Sequence, residues 1–193
     1  MLKYSDFQSI FIWYSTVMIT IIFEPHSTTL DNEAKRSSGW NDIELSELGV
    51  KQCIELLDRS RDRNLDAIFT SDLQRAYKSA VPTAEELRIP IYVDRRLREC
   101  NYGDLTQVDK HIVDEQKAER VTTPFPNGES YEQCINRMKE FLEGLKENFD
   151  SKTVMIIGHR ATQYGLEHYL KNKDLVTCVT EPWAWQPGWT YEY

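Results

Sequence analysis

Cysteine and histidine are scarce in this chain, four of each, and their placement removes whole classes of chemistry. Cys53, Cys100, Cys134 and Cys178 lie far apart with no Cys-x-x-Cys pair, and no two histidines stand at helical or zinc-finger spacing. That excludes the common dithiol redox and zinc-knuckle patterns. Four cysteines could pair in three ways, yet a chain of 193 residues has core enough to do without such bridges. Reduced, buried thiols in a cytoplasmic protein are the expectation. Cations are also in short supply, with 23 Lys and Arg against 31 Asp and Glu and a net charge of −8. No basic stripe offsets this, which argues against a nucleic-acid partner. An anionic substrate stays open only where cations gather in one pocket.

Long apolar runs are absent as well. The longest, from Ile10 to Phe23, has 14 residues, short of the ~20 that a membrane-spanning helix requires. Its start is weakly charged, Lys3 being balanced by Asp6, and no small-residue cleavage site follows, so it does not read as a signal peptide. No membrane partner is expected. Residues 18–23 look like a core strand, and residues 1–17 therefore read as an extension outside the domain. Repeats, low-complexity tracts and long linkers are missing too. The remainder, 18–193, reads as one globular domain, in a chain with 40% hydrophobic and 28% charged residues overall.

Strand and helix signals alternate along it. Met18–Phe23 is β-branched, aliphatic and aromatic and stops near Pro25, the pattern of a buried strand. Ser46 opens a helix with Leu48, Cys53, Ile54, Leu56 and Leu57 on its apolar side. Asp66–Thr70 is a second strand, and Ser71 is expected to cap a helix through Leu87. Ile89–Val93 forms a third strand before a polar turn, Asp94–Asp104. Residues 107–123 look irregularly helical. The turn Phe125–Ser130 leads into an amphipathic helix, Tyr131–Asn148. Thr153–Ile157 is a fourth strand, followed by a helix over Ala161–Lys171. Val176–Val179 and Trp185–Tyr191 read as an edge strand or hairpin, and Trp183, Trp185 and Trp189 as core or as cover for a homodimer edge. The alternation predicts an α/β fold, a three-layer α/β/α sandwich around a mainly parallel sheet.

Two of the strands end in histidine, His26 and His159. Neighbouring parallel strands share the crevice beyond their carboxyl ends, so two imidazoles there suggest chemistry. Pro25-His26-Ser27-x-Thr29-x-x-Asn32, Ser71-x-Leu-x-Arg75-Ala, Leu97-Arg98-Glu99-x-x-Tyr-Gly103-Asp104, Gly128-Glu129-Ser130 and Gly158-His159 follow one another in this order. The intervening Gly39-x-x-Asp42-x-x-Leu45-x-x-x-Gly49-x-x-Gln52 fits the same series. Over residues 18–170 the chain resembles the histidine phosphatase (phosphoglycerate mutase-like) superfamily.

The resemblance implies a metal-independent phosphatase acting on a small phosphorylated metabolite through a phosphohistidine, with no cofactor. His26 is then the nucleophile, as a neutral imidazole can attack phosphorus. Arg75 presents a fork to phosphate oxygens. Glu99 donates the proton to the leaving oxygen and later serves as base. His159 stabilises the charge growing on the equatorial oxygens. Asn32 adds a side-chain amide, and Thr29 is either a phosphate contact or a loop cap. Gln163, Tyr164, Arg36, Trp40 and the Phe125–Ser130 turn are looser pocket candidates. His26, Glu99 and His159 formally make a metal set, but adjacent arginines would repel a divalent cation.

One departure stands out. The family's Arg-His-Gly is Pro25-His26-Ser27 here, which removes a cation and a backbone N–H. Arg160, directly after His159, is expected to move its charge into that volume, unless it faces solvent or pairs with Glu24. The loss of the motif arginine leaves two alternatives beside the phosphatase: a weak or inactive phosphate-ligand binder, and a phosphomutase.

Overall fold

The computed structural model describes residues 18–193; the expected extension over residues 1–17 lies outside the described residues. Five strands form one sheet, β1 (Thr20–Pro25), β2 (Ala67–Thr70), β3 (Ile91–Val93), β4 (Thr153–Gly158) and β5 (Trp189–Glu192), in the order β3-β2-β4-β1-β5. The first four run parallel and β5 pairs antiparallel with β1. The helices are α1 (Leu30–Glu33), α2 (Glu47–Ser60), α3 (Gln74–Leu87), α4 (Lys110–Gln116), α5 (Tyr131–Asn148), α6 (Arg160–Lys171) and α7 (Leu175–Thr180).

Alternate side chains of the central strands point to opposite faces, and each face meets its own helix pair. Ile21, Phe23, Val154 and Ile156 pack with Met138, Phe141 and Leu142 of α5 and Leu166 of α6. Ile22, Ile68, Met155 and Ile157 pack with Leu56 of α2 and Ala80 and Ala84 of α3. This is the expected three-layer sandwich. A third cluster, with Cys100, Phe125, Tyr131, Cys134 and Tyr164, seats the loops beyond the strand ends on α5 and α6.

Several local details differ from the sequence reading. Helix α2 buries Gly49, Cys53, Leu56, Leu57 and Ser60, one face at helical spacing, and leaves Leu48 and Ile54 about half exposed. The segment 176–179 is helical in α7, because Asp174 Oδ2 accepts the Thr177 N–H and outweighs the β-propensity of the following residues. Trp189 does join the edge strand and packs on Phe23. Ser71 does not cap α3; Asp42, from the first loop, accepts the Gln74 N–H at 2.7 Å.

Glu24 is fully buried in β1, which lies between β4 and the edge strand β5. Its carboxylate is held by Arg59 through Nε and Nη2 at 3.2 and 3.0 Å and by Arg63 at 3.4 Å, so Glu24 is not the partner of Arg160. Without Arg59 the buried carboxylate keeps only the longer Arg63 contact, and breaking a buried pair completely costs about 3–5 kcal/mol, the upper bound for this loss. Arg59→Ala is accordingly expected to lower the urea midpoint sharply. Arg61→Ala, which breaks only an exposed pair with Glu86, should leave it nearly unchanged. Equal midpoints for the two variants would refute the role given to Glu24.

Candidate active site

Strand register builds the centre of the site. Pro25 of β1 stands opposite Gly158 of β4, and the ladder continues one step further, from the His26 N–H to the Gly158 carbonyl at 2.9 Å. The next residue on each strand is a histidine. Their ring centroids are 5.1 Å apart. Gly158 is required here by close approach, because a Cβ would lie 2.8 Å from Thr162 Oγ1. That hydroxyl accepts the His159 N–H and donates to the Leu97 carbonyl, tying β4 to the Glu99 turn.

His26 is half-buried, and its Nδ1 lies 2.8 Å from the Ser27 carbonyl. A carbonyl only accepts, so Nδ1 carries the proton and Nε2 keeps its lone pair. Burial and the nearby Arg75 charge lower its pKa to about 3. His159 is almost completely buried, and burial, followed by the charges of Arg75 and His26, holds it well below the usual imidazole range. Both rings are neutral at physiological pH. His159 Nε2 meets Ser71 Oγ at 2.7 Å, and its Nδ1 has no partner among the described residues. Ser71 escaped the sequence reading as a site residue because its position, just before a helix, mimics a cap.

Arg75 is 1% exposed. Its Nη1 and Nη2 donate to the carbonyls of Asn41 and Gly39 at 2.9 and 2.8 Å, while Nε has no partner among the described residues. The guanidinium thus fixes the first loop and still holds an unmet donor. It is the charge felt most strongly by both imidazoles, and it in turn feels the field of Glu99. A buried polar group without a partner is costly.

Glu99 is held by its surroundings at both ends. Its Oε1 accepts the N–H groups of Cys100 (2.8 Å) and Ala161 (3.2 Å), and Oε2 accepts that of Arg160 (3.2 Å). The carboxyl group therefore sits on the first turn of α6, immediately after His159. Its own carbonyl accepts from Trp40 Nε1 at 2.7 Å and Arg137 Nη2 at 3.3 Å. Arg137 is anchored by Glu129 at 2.8 Å, and Arg98, bound to Asp72 at 2.6 Å, stacks 4.7 Å from the Trp40 ring. Trp40 thus supports the Glu99 turn, and the Phe125–Ser130 turn contributes through Glu129, which holds the Asn101 main chain.

The remaining candidates sit elsewhere or are engaged with one another. Thr29 caps α1: its Oγ1 accepts the Asn32 N–H at 3.1 Å and donates to Asn32 Oδ1 at 3.0 Å, and that oxygen also accepts the Thr29 N–H. The hydroxyl is fully used, so of its two expected roles the cap is the one formed; only the amide Nδ2 of Asn32 is left over. Arg36 is exposed, with its backbone bridged to Asp109. Arg160 does not enter the volume left by the motif arginine. Its guanidinium lies 4.8 Å from the Tyr164 ring and 5.0 Å from the Trp183 ring, with Nη1 donating to Gln163 Oε1 at 2.7 Å. Aromatic stacking on two sides decides its direction. Gln163 and Tyr164 are buried and take part in that arrangement. Among the described residues no helix is long and apolar enough to cross a membrane.

The same arrangement of strands and motifs occurs in known proteins. Residues 21–178 match the family model of the histidine phosphatase superfamily (branch 1). The chain is 29% identical to phosphoserine phosphatase 1 of Hydrogenobacter thermophilus over 82% of its own length and 79% of the relative's. It is 28% identical to the probable phosphoglycerate mutase GpmB of Erwinia tasmaniensis, over 74% and 70%. Among solved structures, YhfR of Bacillus stearothermophilus aligns with a TM-score of 0.78 at 26% identity, covering 88% of each chain. A mycobacterial glucosyl-3-phosphoglycerate phosphatase aligns at 0.73 and 25% identity, covering 83% of each. The chain belongs to the histidine phosphatase superfamily.

Proposed function

We propose that the protein hydrolyses a small phosphomonoester without a metal, through a phosphohistidine on His26. The observation that carries this reading is the pair of neutral imidazoles 5.1 Å apart beside a buried arginine, with His26 Nε2 left free by the Nδ1 contact to Ser27. In the first step the Nε2 lone pair forms a bond to phosphorus as the ester P–O bond breaks. Glu99 gives its proton to the departing alcohol oxygen. In the second, Glu99 takes a proton from water, whose oxygen attacks phosphorus; the P–N bond breaks and inorganic phosphate leaves. Arg75 Nε and His159 Nδ1 supply hydrogen bonds to the non-bridging oxygens, preorganised for the transition state. For His159 this requires the proton on Nδ1, the tautomer set when Nε2 accepts from Ser71 Oγ. Asn32 Nδ2 is a candidate for a further contact from the first loop.

Pro25 favours a second reading. With no cation before His26, phosphate charge rests on Arg75 and neutral donors, which suits a weak enzyme or a phosphate-ligand binder. Both readings meet in one experiment. Brief incubation with a 32P-labelled aryl phosphate followed by alkaline quench should label the wild type with an acid-labile phosphoramidate, and His26→Ala should take up none. Glu99→Gln should lower kcat with an alkyl ester by about 10²–10⁴-fold. Absence of label in a wild type that binds phosphate would favour the binder.

Protonation gives a separate check. In the unfolded chain both rings would protonate near pH 6.5, but His26 in the fold does so only at about 3 and His159 well below the usual range. The unfolded state thus binds the extra protons, so stability falls as pH drops below about 6.5 and is unaffected by these groups above it. An NMR titration should find neither ring protonating between pH 8 and 5. A midpoint near 6.5 for either would contradict the burial and charge arrangement described.

A further inference from the structure

The Glu99 carboxyl is steered by the peptide bond that follows it. The carbonyl of the Glu99–Cys100 peptide accepts from Trp40 Nε1 at 2.7 Å. The N–H on the opposite side of the same unit donates to Glu99 Oε1 at 2.8 Å. The unit is planar and trans, with its C=O and N–H pointing in opposite directions, so whatever turns the carbonyl turns the N–H with it. Arg137 Nη2 reaches the same carbonyl only at 3.3 Å and also binds Glu129. Trp40 makes the shorter of the two contacts that set this plane.

The indole is itself fixed from two directions. Arg75 donates to the carbonyls of Gly39 and Asn41, the residues on either side of Trp40. Gly39 holds the turn with φ +50°, a backbone conformation that favours glycine. The Arg98 guanidinium lies 4.7 Å from the centre of the Trp40 ring and is clamped on Asp72 through Nε and Nη2, at 2.6 and 2.7 Å. Asp72 in turn follows Ser71, the partner of His159. A ring held between such anchors has little freedom to leave the Glu99 carbonyl. We propose that Trp40 is a positioning residue: by holding the Glu99–Cys100 peptide plane it aims the Glu99 carboxyl, and through the Gly39–Asn41 turn it links that aim to Arg75. Its effect on the reaction rests on the phosphatase reading, in which Glu99 protonates the leaving oxygen; its effect on the peptide plane does not.

Trp40→Phe keeps an aromatic ring beside Arg98 and removes the N–H. Leaving groups then separate positioning from general damage. Ethyl phosphate has a poor leaving group that needs the Glu99 proton, whereas 4-nitrophenolate departs without one. The ratio of kcat/KM for 4-nitrophenyl phosphate to that for ethyl phosphate should rise about tenfold or more in Trp40→Phe. It should stay within about twofold of wild type in Trp185→Phe, which alters an exposed indole. In a Glu99→Gln background, Trp40→Phe should change the ethyl phosphate rate by less than about threefold, because the two substitutions remove one function. Equal slowing of both esters by Trp40→Phe overturns the proposal, as does full additivity with Glu99→Gln. A crystal structure of Trp40→Phe gives a readout without turnover. The Glu99–Cys100 peptide should be rotated and the contact from its N–H to Oε1 broken; an unchanged contact at 2.8 Å overturns the proposal. A rotated peptide beside a wild type that hydrolyses neither ester would refute the phosphatase reading and support the positioning role. If Trp40→Phe does not fold, hydrogen exchange in the wild type decides: Trp40 Nε1–H protected about tenfold or more over that of Trp185 supports the contact, and equal exchange overturns it.

Discussion

The parallel ladder between β1 and β4 is the constraint on which the site depends. Because Pro25 faces Gly158, the residues that follow are brought side by side at the carboxyl end of the sheet, though they lie more than a hundred positions apart in the chain. A register slip of one residue between these strands would turn one histidine to the face opposite the other. That register is secured by core burial on both faces, by Ile21 and Phe23 on one and Ile22 with Met155 and Ile157 on the other. The placement of the two histidines is therefore underwritten by apolar packing along the strands that carry them.

The surrounding polar network holds buried charge in defined directions. Arg75 binds two loop carbonyls with its terminal nitrogens, so the guanidinium that shapes the first loop is also the charge felt by the two imidazoles. Its field and the low local polarity keep those imidazoles neutral, and a neutral ring is what a nucleophile requires. Glu99 is placed from outside by Trp40 and Arg137 and from inside by the first turn of α6. Gly103 and Gly128 let the Glu99 turn and the Phe125–Ser130 turn meet: a Cβ on Gly128 would stand 2.3 Å from the Asn101 carbonyl, and Gly103 adopts φ +52°.

What could be read from sequence followed from how locally each feature is encoded. His26 and His159 were legible because each closes an apolar run, and the chain order of short motifs singled out Arg75 and Glu99. Ser71 and Trp40 were harder. The first looks like a helix cap and in fact bonds His159, while Asp42, distant in sequence, caps the helix. Trp40 acts through a main-chain carbonyl far along the chain, and no spacing rule announces such a contact. Arg160 drew attention as a charge in an unusual place, yet its direction is set by Trp183 in the tail, a tertiary partner invisible to local pattern. For Val176–Val179, a single capping aspartate outweighed β-branched composition.

Phosphoryl transfer at this site requires that one phosphoryl-sized group fit between His26, Arg75 and His159. A crystal structure with orthovanadate, which adopts the trigonal bipyramid of phosphoryl transfer, tests this most directly. Vanadium bonded to His26 Nε2, with equatorial oxygens on Arg75 Nε and His159 Nδ1 and an apical oxygen at Glu99, is the predicted result. Vanadate bound elsewhere, or coordinated with His26 Nε2 out of bonding range, would contradict it.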